Sequence, residues 1–233
     1  MISKRYKALP QETRMLKHDK IENLLKIIKK NCTTKFNESV DVHFRLNLKQ
    51  KKSDTNIRSV LNLPVAKNKK IKVAVVCEEE KLEEAKKSGA DVVGSDDLIN
   101  NISSGKINFE KLVSTPKMMI KLSKLGKILG PKGLMPNPKL GTVTNEIIKS
   151  VKDIKSGQLE IKNDKDGNIA LSIGNKSFSD ENLIKNFNAI VDFISKEKPS
   201  GAKGNFVKSV FLTSTMGVSY KLKLNKGIWF YDE

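Results

Sequence analysis

From Lys35 to Leu48 the chain reads KFNESVDVHFRLNL, and from Val40 onward apolar and polar residues alternate strictly. Val40, Val42, Phe44, Leu46 and Leu48 share one parity, while Asp41, His43, Arg45 and Asn47 share the other. A period of two with one apolar face predicts a half-buried strand, because successive side chains leave a pleated sheet on opposite sides. Far downstream, Val207 to Gly217 (VKSVFLTSTMG) starts as an apolar strand and ends in small hydroxyls, Met216 and Gly217; Tyr220 to Leu224 (YKLKL) alternates again. These distant stretches are expected to share one sheet. Upstream, Ile21, Leu24, Leu25 and Ile28 at i, i+3, i+4 and i+7 predict an amphipathic helix. Asp19 and Glu22 stand at capping-box spacing before it, and Lys29 and Lys30 in its last turn suit the dipole.

A second short strand is expected around Ile57 to Leu63, and the character changes near Pro64. Past a lysine-rich junction (Lys67 to Lys70), Ile71 to Cys77 is a β-rich run of buried-strand length. Helical and strand patterns then alternate: a helix at Glu78 to Ser88, a strand at Asp91 to Gly94, and a helix from Asp96 to Ser104. A strand at Leu112-Val113 and a helix from Pro116 to about Leu125 follow. That rhythm predicts a small parallel, Rossmann-like domain. Leu129 to Thr142 (LGPKGLMPNPKLGT) is too rich in Gly and Pro for a regular element, and Thr144 or Asn145 is expected to cap a helix to about Ile154. Leu159 to Lys162 and Ile169 to Ile173 predict a hairpin around Asn163 to Gly167. Ser179 is placed to cap a helix with Leu183, Phe187, Ile190, Val191 and Ile194 on one face. The expected fold is α+β with two domains. An antiparallel α/β-layer domain is built from both chain ends (1–66 plus 158–233), with an inserted Rossmann-like α/β domain (67–157). Hinges are expected at Ala66-Lys67 and Gly157-Gln158.

Charge narrows the partner. A formal net charge of +18 points to a large polyanion. Nucleic acid comes before membrane, since no apolar run approaches the roughly 20 residues of a spanning helix. Both parts of the chain are basic, but the arginines Arg5, Arg14, Arg45 and Arg58 all lie in the outer part. Their planar forks make phosphate and base contacts that lysine does not, which favours the outer domain as the binding one. Cys32 and Cys77 with His18 and His43 make neither a disulfide framework nor a ligand cluster, so a reducing compartment and no metal are expected.

Two places carry the binding chemistry. Phe36, between Lys35 and short polar residues ending at Ser39, is read as an aromatic platform for RNA or as core continuing the parity of Val40 and Phe44. The residues alone favour core, since buried Phe is the commoner case. Ser209, Thr213, Ser214, Thr215, Met216 and Gly217 form either an RNA-facing edge, hydroxyls meeting 2′-OH groups, or a plain strand end entering a turn. Other motifs fail. Gly130-Pro131-Lys132-Gly133 matches a KH-type GXXG, but Pro136 and Pro138 follow at once where a helix is required. No phosphate-binding GxxxxGK[ST] loop is complete, and Glu78-Glu79-Glu80 after the strand from Ile71 would repel a pyrophosphate. No nucleophile and base stand at catalytic spacing.

With these residues in place, the chain resembles the bacterial large-subunit ribosomal protein L-one family, the family of the mobile lateral stalk. The likeness runs from about Lys29 to Tyr220. It rests on KFNESVDV (from Lys35), KSDTNIR (from Lys52), LGPKGLMPNPKLGTVT (from Leu129), KNDKDG (from Lys162), AKG (from Ala202) and TSTMG (from Thr213). The resemblance implies a non-enzymatic ribosomal protein without cofactor or small-molecule substrate, cytoplasmic on the ribosome. Its implied partners are stalk ribosomal RNA, exit-site tRNA whose release it assists, and its own operon mRNA, which it represses. Ribosomal RNA contacts are implied at Lys35, Phe36, Ser39, Arg58, Lys203, Ser209, Thr213, Thr215, Met216 and Gly217. Two departures stand near the first crossing: Ser59 where the family usually has Gly, and Val65-Ala66 where it usually has His-Gly. The alternative class is an RNA-modifying enzyme with a nucleotide cofactor in the Rossmann-like half.

Overall fold

The computed structural model describes residues 4–9, 20–47, 57–65, 71–197 and 206–223. Asp19, Leu48, Ala66, Lys67, Lys203, Leu224 and the tail 226–233 lie outside the described residues, and with them one expected hinge. The fold is mixed α/β with several sheets. Contacts divide the chain into two compact units, Met1–Lys67 with Ile161–Glu233, and Asn68–Glu160.

The first unit is organised on strand β1 (Ser39–Leu46), which buries Val40, Val42, Phe44 and Leu46 as the alternation predicts. It pairs antiparallel on both edges, with β7 (Asn168–Asn175) and with β8 (Val207–Ser214), and β9 (Tyr220–Lys221) adds to β8. Sheet order is β7-β1-β8-β9, so the two ends of the chain do share a sheet. Helix α2 (Ile21–Asn31) contacts β8, and helix α8 (Asp180–Lys196) contacts β7. Their buried stripes are the expected ones, and the Phe187 ring stacks on Phe44 at 6.2 Å between centroids. The Ser179 hydroxyl accepts from the Asn182 N–H, as its N-cap position predicts.

Several expectations are corrected in detail. Lys20, not Asp19, stands at the N-cap of α2 and makes no side-chain cap, because an ammonium offers no acceptor to the free N–H groups. Near the N-terminus a short helix, α1 (Lys4–Ala8), is followed by buried Leu9. Strand β6 (Gln158–Lys162) does not form a hairpin ladder with β7; the two meet in one isolated bridge, Asn163 to Ile169, and β6 pairs with β2 (Arg58–Asn62) in a separate sheet. The cause is local. The Asn163 side-chain Oδ1 accepts from the Ile57 N–H at 2.8 Å, while the Asn163 backbone N–H donates to the Ile57 carbonyl at 3.2 Å. Asp164 Oδ1 accepts the N–H groups of Asp166 and Asn168, which closes the reversing turn between β6 and β7. Finally, neither Thr144 nor Asn145 is the N-cap of helix α7 (Ile147–Lys155). Glu146 holds that place, and Thr144 Oγ1 accepts the Glu146 N–H from outside the helix.

In the second unit, β3 (Val73–Val76) lies between β4 (Val92–Gly94) and β5 (Lys111–Ser114), all parallel. Both faces of β3 are buried, which explains why its sequence is continuously apolar. Ala74 and Val76 pack with Leu98 and Ile102 of helix α4 (Asp96–Ser103) and with Met118 and Leu122 of helix α5 (Pro116–Ser123). Val73, Val75 and Cys77 pack with Ala85 of helix α3 (Leu82–Lys87) and with Ile147, Val151 and Ile154 of α7. The expected helix from Glu78 begins instead as a 3-10 turn, Glu79–Lys81. The Gly/Pro-rich stretch starts within helix α6 (Gly126–Leu129), holds a 3-10 turn at Pro138–Leu140, and then bridges Val143 to Ser114. Gly157, just past the end of α7, has a φ of 98°, which a side chain would strain.

Asn186 is fully buried on α8. Its Oδ1 accepts from the Val65 N–H at 3.0 Å, and its Nδ2 donates to the carbonyls of Val65 at 3.0 Å and Ile173 at 2.8 Å. Asn186→Ala strands those groups and is expected to cost about 1–3 kcal/mol in urea unfolding. A loss within about 0.5 kcal/mol would show that water or a shifted Val65 satisfies them instead.

Candidate nucleic-acid interface

Antiparallel pairing sets the beginning of β1 against the end of β8. Val40 is opposite Ser214, and the next contact out is a closed set of bonds between Ser39 and Thr215. The Thr215 N–H donates to the Ser39 carbonyl at 3.2 Å, and the Ser39 N–H donates to Thr215 Oγ1 at 3.0 Å. The hydroxyls are 2.9 Å apart, and Ser39 Oγ lies 3.0 Å from an Asp41 carboxylate oxygen. Since Asp41 can only accept, Ser39 donates to it and Thr215 donates to Ser39. Both hydroxyl protons are then used inside the protein. What Thr215 and Ser39 offer outward is lone pairs, acceptors for a donor such as a ribose 2′-OH.

Beyond this contact the chain forms two turns. On one, Lys35 is exposed and Phe36 is 53% exposed; on the other, Met216 is 50% exposed. The core alternative for Phe36 is therefore overturned: the strand begins at Ser39, so the parity of Val40 does not extend to Phe36. Burial instead claims Glu38, which has no exposed surface at all. Its Oε1 accepts from the Thr34 hydroxyl at 2.8 Å and the Thr34 N–H at 3.4 Å, closing the loop that carries Lys35 and Phe36. Its Oε2 accepts from the Met216 N–H at 3.1 Å. Burial raises the Glu38 pKa, but bonds from the Thr34 and Ser214 hydroxyls and from the Met216 and Thr34 amides outweigh it, and the carboxyl ends below its ordinary range. The Met216 peptide is held on its other side too. Arg5 of α1 donates to the Met216 carbonyl at 2.5 Å and to Thr33 Oγ1 at 3.0 Å.

The structure thus brings together Lys35, Phe36, Ser39, Thr215, Met216 and Gly217, with Thr213 beside them opposite Asp41. Ser209 is nearly buried and pairs with Arg45, five residues up β8 from Ser214, roughly 17 Å at a strand's rise. Arg58 stands on β2, in the other sheet. Sequence reasoning missed Glu38, and it named Arg5 only among the outer arginines, without its bond to the Met216 turn. Glu38 did leave a signal, a carboxylate at the inward parity of the alternating stretch; the partner of Arg5 lies 211 residues away and left none.

A sequence model of the Ribosomal protein L1p/L10e family matches residues 28–218, which hold both turns. The chain belongs to that family. It is 61% identical to the large ribosomal subunit protein uL1 of Pelagibacter ubique over 98% of this chain and 100% of the relative. It is 44% identical to the uL1 protein of Prochlorococcus marinus strain NATL1A, over 96% of this chain and 95% of that one. The uL1 protein of Orientia tsutsugamushi shares 50% identity over 85% of this chain and 80% of its own. This is a family of structural ribosomal proteins, not of enzymes, which decides against the RNA-modifying alternative. Arg5 precedes the matched span, while Met216, whose carbonyl it bonds, lies within it.

Gly217 supplies a direct check on the turn. A Cβ there would stand 2.2 Å from Ser214 Oγ, the hydroxyl that bonds Glu38. Gly217→Ala should push that hydroxyl off the carboxylate and lower stability by about 1–3 kcal/mol in chemical denaturation. Stability equal to the parent would mean that Ser214 turns aside without cost.

Proposed function

We propose that this chain is a structural constituent of the large ribosomal subunit that grips folded ribosomal RNA of the lateral stalk through the two-turn face of its first unit. The supporting observation is the pair of half-exposed apolar side chains, Phe36 and Met216, on turns joined by Glu38 and flanked by Lys35 and Arg5. Exposed aromatic and thioether surface suits stacking on a base or ribose, cations suit phosphate, and the Ser39–Thr215 acceptors suit 2′-OH groups. In this reading the two units are two domains. The outer one, made from both chain ends, binds RNA, and the inserted Rossmann-like one moves about crossings near Ala66-Lys67 and Gly157-Gln158. Lys203 and Arg58 add phosphate contacts, and Ser209 and Thr213 extend the contact along β8. The protein works in the cytoplasm on the ribosome, helps deacylated tRNA leave the exit site, and represses its own operon by binding an mRNA fold that imitates the stalk. Those last two roles are supported by the family resemblance alone.

Sedimentation of the full chain with large subunits tests residence on the ribosome. Phe36→Ala tests the face: it should weaken binding of a stalk RNA transcript by about 1–3 kcal/mol while leaving the melting temperature near that of the parent. An unchanged binding curve with intact folding would remove Phe36 from the interface.

A further inference from the structure

We infer that Glu38 is the positioning residue of this RNA-binding face, a carboxylate that meets no RNA yet holds the Phe36 loop and the Met216 turn as one body. The inference rests on the proposal that this face binds RNA. Its first support is geometric. The strand ladder ends at Val40 and Ser214 and is extended by the Ser39–Thr215 bonds. Past that point, Glu38 joins turns 178 residues apart in sequence, one oxygen to Thr34 and the other to Met216. Its second support is chemical. The carboxylate is surrounded by donors: the Thr34 N–H and O–H, the Met216 N–H and the Ser214 hydroxyl. An ionised carboxylate only accepts, so it satisfies all of them; a glutamine would turn an NH2 group against at least one. Its third support is that the charge itself opposes the function. A buried anion beneath a surface for a polyanion repels phosphate, and a basic protein keeps it there at a cost in affinity unless its bonds shape the surface.

That opposition makes the test one of sign. Equilibrium binding of the full-length chain to a transcript of the stalk region of large-subunit ribosomal RNA is measured across a range of salt concentrations. It is repeated for Glu38→Gln and for Glu38→Gln in a Phe36→Ala/Met216→Ala background. A purely electrostatic role predicts tighter binding by Glu38→Gln, since it removes a negative charge. The positioning role predicts binding on the order of ten-fold weaker. The slope of affinity against salt should not change, because the phosphate contacts are the same in number. In the double-alanine background the loss should shrink to about two-fold or less, because Glu38 acts through the two side chains already removed. Binding equal to or tighter than the parent, or the same loss in both backgrounds, would overturn the inference. If Glu38→Gln does not melt cooperatively, Thr34→Val serves in its place: it deletes one partner and keeps the charge. It should bind several-fold more weakly with the same salt slope, and binding equal to the parent would overturn the inference. Failure of the unaltered chain to bind the transcript would remove the RNA-binding proposal and this inference with it. Binding by the unaltered chain, undiminished in Glu38→Gln, would remove this inference alone.

Discussion

β1 is hydrogen-bonded along both edges, and its antiparallel pairing with β8 is the constraint from which the rest of the first unit follows. Antiparallel strands set the entrance of one beside the exit of the other. A turn entering β1 and a turn leaving β8 therefore meet, however much chain separates them. The buried face fixes the register, since a slip of one residue would carry Val40, Val42, Phe44 and Leu46 into water. The same parity carries Glu38 inward, where its two oxygens reach both turns. Packing of an apolar face thus determines where a single carboxylate stands. The carboxylate in turn determines how two exposed apolar side chains are presented.

Two kinds of electrostatics act at different ranges. The net charge of +18 gives attraction to any polyanion, screened by salt and blind to sequence. The face itself is built chiefly from neutral groups, Phe36, Met216 and the Ser39–Thr215 pair, with Lys35 and Arg5 beside them. Selectivity on such a surface comes from shape and from the pattern of acceptors rather than from charge. The second unit shows the contrast within one chain. Its central strand β3 is covered on both faces, and its composition records only burial.

Much of this fold was legible because most of its elements bury one face or one stripe. The parity of β1, the stripes of α2 and α8, and the continuous apolar run of β3 each reflect a local environment that a short window senses. What was not legible depends on partners brought from far away. Leu159 to Lys162 and Ile169 to Ile173 look like a hairpin, but Asn163 is engaged by Ile57, and no local pattern announces that bond. Phe36 was ambiguous for the same reason. Its parity fits core, while its exposure is decided by where pairing to β8 stops. Glu38 was legible in principle, being a charge where periodicity demands an apolar residue. Such a violation marks either an error of register or a buried polar group with partners, and here those partners are supplied by both turns.

The most direct measurement is photochemical crosslinking of the full-length chain to large-subunit ribosomal RNA, with the linked peptides located by mass spectrometry. If the two turns form the RNA-gripping face, the strongest links fall at or beside Phe36 and Met216, together in the same bound population. Links confined to residues 68–160, with the peptides around Phe36 and Met216 untouched, would contradict it.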